Sequence, residues 1–238
     1  TKAPSLPAST MQVPTIVKGE NECCKILAST GIPMANSEVA KSAKEAISIW
    51  STINGPVALK IVSPDILHKT EIGGVRLNLN DPTEIEDAFN DIIEAGTKHY
   101  PKANIEGVII SEMISEGVET VLGVINDPIF GPAVMFGLGG VFVEVLGDVT
   151  FRLAPFDLSE AHRMIAEIKG IKMLYGARGA ASSDIDAIAD ALVKLSIFAS
   201  TNSDKISSID INPFIVRPEG QGAVGVDALI IPHGVDVI

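Results

Sequence analysis

The sequence predicts an α+β fold in two lobes. Three observations carry that reading. At 238 residues the chain is long enough for one large domain or two closely joined lobes, each with its own core. Its apolar-alternating segments come as neighbouring strands, and capped helical patterns separate them without the regular strand–helix alternation of a barrel.

Taken in order, residues 1–17 are rich in Pro, Ser, Thr and Ala without a sustained period, and read as an extended arm. A helical pattern, E-N-E-C-C-K-I-L-A-S-T-G, closes at Gly31 before Pro33, and a second is expected from Ser37 to Trp50. Cys23 and Cys24 then pack as small apolar residues. G-P-V-A-L-K-I-V is a buried strand with Lys60 near its end, and V-R-L-N-L-N alternates as a half-exposed one. T-E-I-E, Thr83 to Glu86, reads as a capping box for a helix that turns Ile85, Ala88, Phe89, Ile92 and Ile93 inward. Strands E-G-V-I-I-S-E-M and V-E-T-V-L-G-V follow, joined across I-S-E-G. Then come A-V-M-F, the glycine-rich G-L-G-G of 137–140, and strands V-F-V-E-V and V-T-F-R-L. A helix from Asp157 is expected to align Leu158, Ala161, Met164, Ile165 and Ile168, and another, capped near Ser183 or Asp184, to align Ile185, Ile188, Ala189, Leu192 and Ala199. I-S-S-I-D-I-N-P-F-I-V and A-V-G-V-D-A-L-I-I are the last strands. The expected division is an arm over 1–17, one lobe over 18–113 and a second over 114–238.

A net charge of −12 disfavours nucleic acid or an anionic membrane as the main partner, because phosphate binding at that scale needs a basic footprint. Two adjacent cysteines make no bridge across the fold and suit a reducing cytoplasm. No apolar run approaches a membrane span and the first residues carry no signal-peptide stretch, so a soluble, cytoplasmic protein is expected.

Several groups could carry chemistry. In I-S-S-I-D-I-N-P, strand alternation puts Ser208, Asp210 and Asn212 on one face, and Asp227 lies on the next strand. Such oxygen ligands suit Mg²⁺ that keeps waters and bridges phosphates, while the same residues also form strand-end turns. Gly139 and Gly140 belong either to a flap closing over phosphates or to a hairpin connection, since G-L-G-G lacks the G-x-G-x-x-G spacing and no helix follows it. Lys60, Lys69, Arg76, Arg152 and Arg178 supply cations, or solvate a surface. His68, in D-I-L-H-K-T-E-I-G-G-V, is a histidine that could accept and release a phosphoryl group, or a plain surface residue; Gly73 and Gly74 suit a segment that moves.

The blocks V-A-L-K, D-I-L-H-K-T-E-I-G-G-V, G-L-G-G-V-F-V-E-V-L-G-D-V-T-F-R-L-A-P-F and D-I-N-P-F-I-V resemble the β subunit of ADP-forming acyl-CoA (acetyl-CoA) synthetases, over about residues 18 to 230. The resemblance implies an ATP-grasp fold with nucleotide between two lobes, related to the succinyl-CoA synthetase β subunit. It implies reversible conversion of acyl-CoA, ADP and phosphate to acid, ATP and CoA, with a CoA-binding α subunit as partner in an α₂β₂ heterotetramer. It makes His68 the residue that relays a phosphoryl group to ADP. By the same resemblance Lys60 touches nucleotide phosphates, Glu112, Met113 and Ile114 form the adenine hinge, and Glu119 binds ribose. Gly139, Gly140 and Arg152 join the nucleotide set, Asp210, Asn212 and Asp227 hold Mg²⁺, and Glu144 matches a family position. Y-G-A-R-G-A-A-S-S departs from the family at its alanines, which touches Arg178, and the arm has no counterpart. Two other readings follow from the same residues: a non-catalytic nucleotide-sensing module, and a carboxylate ligase acting alone. Neither has a need for His68.

Overall fold

A computed structural model of the chain describes residues 19–53, 55–66, 68–114, 116–140, 146–176 and 181–234. The expected arm, the strand V-F-V-E-V with Glu144, and Arg178 lie outside the described residues. The chain divides into two compact units, one running Ala35–Ile114 and the other taking the described residues up to Met34 together with those from 116 onward.

In the Ala35–Ile114 unit, strands β1 (Ser37–Ala40), β2 (Val57–Val62), β3 (Val75–Leu79) and β4 (Gly107–Glu112) form an antiparallel sheet in the order β1-β4-β2-β3. Helices α2 (Ala43–Trp50) and α3 (Pro82–His99) cover one face. Ile49, Leu59, Ile61, Ile66, Ile85, Phe89, Ile92 and Ile110 make the core between them. The helix expected from Ser37 begins only at Ala43. Ser42 caps it by accepting from the Glu45 N–H, and the Glu45 carboxylate reaches back to the Lys41 N–H at 2.8 Å. Ser37–Ala40 instead pairs with β4, which supplies partners for a backbone that a helix would otherwise have to satisfy. The cap of α3 also falls earlier than Thr83. Asp81 accepts from the Thr83 and Glu84 N–H groups at 2.8 and 3.0 Å, with Pro82 on the first helical position, where its missing N–H costs nothing.

The other unit is built on a sheet ordered β10-β8-β5-β6-β7, with β9 paired to β8. Its strands are β5 (Val118–Asp127), β6 (Gly131–Leu138), β7 (Val149–Leu153), β8 (Ile206–Val216), β9 (Ala223–Gly225) and β10 (Ala228–Pro232). Helices α1 (Gly19–Ser29), α4 (Leu158–Ala166) and α5 (Ile185–Thr201) pack on one side of it, burying Leu122, Val134, Phe136, Ile209 and Ile211 against Met164, Leu192 and Phe198. Asp184 caps α5 through the Ala187 N–H at 3.1 Å. Leu158, expected on the buried stripe, is half exposed, because it is the first residue of α4 and precedes the turn that meets the sheet.

Helix α1 was expected with the lobe of residues 18–113, yet it packs with the second unit. Cys23 and Cys24 are buried in that unit's core, the Cys23 Sγ accepts the Ile230 N–H at 3.3 Å, and the Lys194 ammonium donates to the Gly31 carbonyl at 2.8 Å. The expected strand A-V-G-V-D-A-L-I-I is split in two. At the break the Val226 N–H donates to the Pro213 carbonyl at 2.9 Å, and the Asp227 carbonyl accepts the Asn212 N–H at 3.2 Å. On the sheet face away from the helices, one row of residues in register runs Leu229, Asp210, Gly123, Met135, Phe151.

Candidate nucleotide and phosphoryl-relay site

His68 stands on the connection between β2 and β3. Its side chain is 72% exposed, and its Nδ1 lies 3.8 Å from an exposed oxygen of Glu71. That is too long for a hydrogen bond, and between two solvated groups it stabilises little. The imidazole is thus accessible to a reactant.

Both ends of this connection are fixed. On the N-terminal side Ile66 is 1% exposed in the core, and exposing such a side chain costs roughly 1.5–3 kcal/mol. Beside it the Asp65 carboxylate accepts the Asn104 N–H at 2.6 Å. On the C-terminal side the Gly74 N–H donates to the Lys69 carbonyl at 2.8 Å, and the Ile61 N–H donates to the Gly74 carbonyl at 2.8 Å. Gly73 and Gly74, read from sequence as marks of a moving segment, have local reasons to be glycine. Gly73 has φ +74°, and a Cβ on Gly74 would meet Ile61 Cγ2 at 2.8 Å and the Lys69 carbonyl at 2.9 Å.

Lys60 is half-buried on β2, in register with Val75 and Ile109, so the strand fixes the direction of its stem. Glu112 ends β4 and Met113 follows it. Their N–H groups are spent inside the unit, on the Asn36 carbonyl at 2.9 Å and the Pro56 carbonyl at 3.0 Å, while the Met113 thioether accepts the Asn78 N–H at 3.0 Å. Ile114 follows, half-buried.

In the second unit, Glu119 and Gly139 are brought together. The Gly139 N–H donates to the Glu119 carbonyl at 2.8 Å, and a Cβ on Gly139 would sit 3.0 Å from the Glu119 Cβ. Gly140 follows with φ +59°. Asp210 and Asn212 share the helix-free face of β8, and the backbone bond from Asn212 joins them to Asp227. Protein atoms crowd the Asp210 carboxylate and raise its pKa by desolvation, although its outer edge reaches solvent. The Asp210 carboxylate makes no hydrogen bond or ion pair with the described residues. Among those residues no group of three His, Cys, Asp or Glu gathers as a metal cluster. Two carboxylates and an amide oxygen, with one carboxylate lacking a counter-charge, nonetheless fit a hard cation that takes its other ligands from water and phosphate.

Arg152, expected at the nucleotide, has a different occupation. It neighbours Val134 in register, on the face that the helices cover and opposite to that of Asp210. Its Nε donates to Glu160 at 2.5 Å and its Nη2 to Glu167 at 2.6 Å, contacts that hold its own pKa up and that of Glu160 down. Sequence reading also passed over Asp148, whose buried carboxylate accepts the Lys169 and Gly170 N–H groups at 2.8 and 2.7 Å. An acidic residue beside Gly147 offers no signal of such a role without its distant partners.

Two α+β units, one with a lysine-bearing strand and one with an acid-bearing sheet, define the class: an ATP-grasp domain. The ATP-grasp domain family matches residues 14–231. The β subunit of ADP-forming acetate–CoA ligase II from Pyrococcus furiosus is 44% identical over 215 residues, 90% of this chain and 91% of that one. A dinucleotide-forming acetyl-coenzyme A synthetase 1 from Ca. Korarchaeum cryptofilum, solved with coenzyme A, Ca-AMPCP and HgCl⁺, superposes with TM-score 0.84 at 44% identity, covering 90% of this chain and 92% of that one. A second structure of that synthetase, with coenzyme A and Mg-AMPPCP, has its phosphohistidine segment pointing towards the nucleotide-binding site. It superposes with TM-score 0.79 at 41% identity, covering 90% of this chain and 92% of that one. The chain belongs to the ATP-grasp family, among the β subunits of ADP-forming acyl-CoA ligases. Among the described residues no helix is long and apolar enough to cross a membrane.

Proposed function

We propose that this chain is the nucleotide-binding, phosphoryl-relaying β subunit of an ADP-forming acyl-CoA ligase. With a CoA-binding α subunit, in an α₂β₂ assembly of the cytoplasm, it converts acyl-CoA, ADP and phosphate reversibly to carboxylic acid, ATP and CoA. The observation that carries this reading is His68: an exposed imidazole at the tip of a connection anchored at both ends, in a chain whose relative has a phosphohistidine segment directed at nucleotide.

In the ATP-forming direction the β-phosphate oxygen of ADP attacks the phosphorus on His68. A P–O bond to the ADP oxygen forms as the P–N bond breaks, with the electron pair of that bond staying on the ring nitrogen, which takes up one proton from solvent. Such a transfer is chiefly a matter of positioning and charge neutralisation. Lys60 offers its ammonium to the phosphates. At the hinge the Glu112 and Met113 N–H groups are already used, and adenine is assigned to the Ile114 N–H and the hinge carbonyls. Glu119 takes the ribose hydroxyls, and Gly139 and Gly140 let backbone approach the phosphates. Asp210, Asn212 and Asp227 hold Mg²⁺, which when bound neutralises phosphate charge. Arg152 is assigned to the α4 contact.

The test is to incubate the complex with Mg²⁺ and γ-labelled ATP, with His68→Asn as control. Acid-labile, alkali-stable label on His68 that ADP chases back to ATP is the expected outcome. No label, while ATP binding is shown separately, would favour a nucleotide-sensing module.

A further inference from the structure

Arg76 has the geometry of a brace for the His68 segment. It is the second residue of β3, directly after the fixed glycines. Its Nη1 donates to the Gly73 carbonyl at 2.6 Å and to the Val75 carbonyl at 3.1 Å, while Nη2 lies 3.5 Å from an Asp91 oxygen on α3. One planar guanidinium thus ties the end of the segment to the helix layer beneath the sheet. A lysine, with a single nitrogen, cannot reach two carbonyls and a carboxylate in this way.

We infer that Arg76 is a positioning residue for the phosphoryl relay: it holds the Gly73 carbonyl so that Gly73 and Gly74 stay fixed while the residues nearer His68 deliver the phosphoryl group. The inference rests on the relay reading of His68. Three features of the segment agree with it. The Gly74 carbonyl is bound by the Ile61 N–H inside the sheet, and Gly74 has no space for a side chain, so the sheet seizes one side of the junction. The Gly73 carbonyl, one residue nearer His68, has its described hydrogen bond only from Arg76. At the opposite end the Asp65 carboxylate and Asn104 N–H do the equivalent work at 2.6 Å. Among the described residues no side-chain hydrogen bond or ion pair joins Arg76 to His68 or to a residue assigned to nucleotide, so its influence runs through the backbone of the segment.

Arg76→Met keeps the aliphatic stem and removes every donor. In the complex with the partner subunit at saturating Mg-ATP, the rate of His68 labelling should fall about tenfold, while the ATP concentration giving half-maximal rate changes less than twofold. Amide hydrogen exchange at residues 69–74 should quicken, with α3 and β2 unchanged. Asp91→Asn should show a smaller loss, and Arg76→Lys should recover part of the rate. An unchanged labelling rate in Arg76→Met overturns the inference. So does a loss of rate matched by an equal weakening of ATP, or one accompanied by faster exchange throughout the unit, either of which marks a general structural role. The exchange readout does not depend on phosphoryl transfer. If the unaltered chain takes no label yet Arg76→Met still loosens residues 69–74, the relay reading falls and the brace stands only as architecture, which also overturns the inference as stated.

Discussion

Replacing Gly74 by alanine would place a methyl group 2.8 Å from Ile61 Cγ2 and 2.9 Å from the Lys69 carbonyl oxygen. Ordinary contacts between non-bonded carbons lie near 3.5–4.0 Å, so both neighbours would have to withdraw by roughly 0.6–1.2 Å. Neither does so cheaply. Ile61 is fully buried in the core of its unit, and the Lys69 oxygen belongs to the backbone and already accepts the Gly74 N–H. Overpacking of this kind costs about 1–3 kcal/mol, and two unyielding neighbours put this case in the upper half, about 2–3 kcal/mol. At this chain length that is a fall in melting temperature of roughly 4–12 °C, by roughly 2–4 °C per kcal/mol. Differential scanning calorimetry reads it directly, and His68 labelling should fall in parallel, since the displaced backbone is the one that ends the relay segment. Adding Ile61→Ala removes only one of the two contacts and a buried side chain besides, so the double variant should not recover. A Gly74→Ala protein with unchanged melting and labelling, or full recovery in the double variant, would refute the steric argument.

The Cys23 thiol is pushed up to about 11 by burial, so native protein at pH 8 should react with a thiol reagent far more slowly than protein unfolded in guanidinium, as the rate of absorbance change will report. Arg152 and Arg163 hold Glu160 below the usual carboxylate range, so its folded pKa is lower than its unfolded one. The stability it adds is present above about pH 4.5, near the ordinary glutamate value, and is lost as pH falls through the folded value. Arg152→Met should therefore lessen the drop in melting temperature between pH 6 and pH 3, leaving ATP affinity at neutral pH unaltered if its place is structural.

Local patterns were enough to read the long elements. The 3.6-residue stripe of Ile85, Ala88, Phe89 and Ile92 and the alternation of Ser208, Asp210 and Asn212 against Ile209 and Ile211 needed no distant partner. What escaped was set by partners far away in sequence. Ser37–Ala40 carries serine, glutamate and alanine that suit a helix start, and becomes a strand because β4 offers it a ladder. Val226 and Asp227 alternate correctly for one long strand, but their backbone groups bond to Pro213 and Asn212, which bends the chain there. Arg152 entered the nucleotide set through the family resemblance, and its ion pairs with Glu160 on α4 and Glu167 at that helix's end could not be read from local sequence. Of the candidate site, the polar strand face and the lysine on its apolar run were legible, whereas the anchoring of the His68 connection by Asp65, Ile66 and Arg76 could be seen only in three dimensions.

Gly123 sits between Asp210 and Met135 in the row that crosses the open face of the sheet. With a hydrogen for a side chain, it lets the Met135 Cε come within 3.1 Å of where its Cβ would be, so the methionine fills the place that a side chain there would take. The alanine that a stability-seeking engineer would try first at a mid-strand glycine is thus one for which Met135 would have to give way. Whatever advantage a stiffer strand conferred would be set against displacing that methionine, so at this point the sheet keeps a weak residue for the sake of its neighbour's packing.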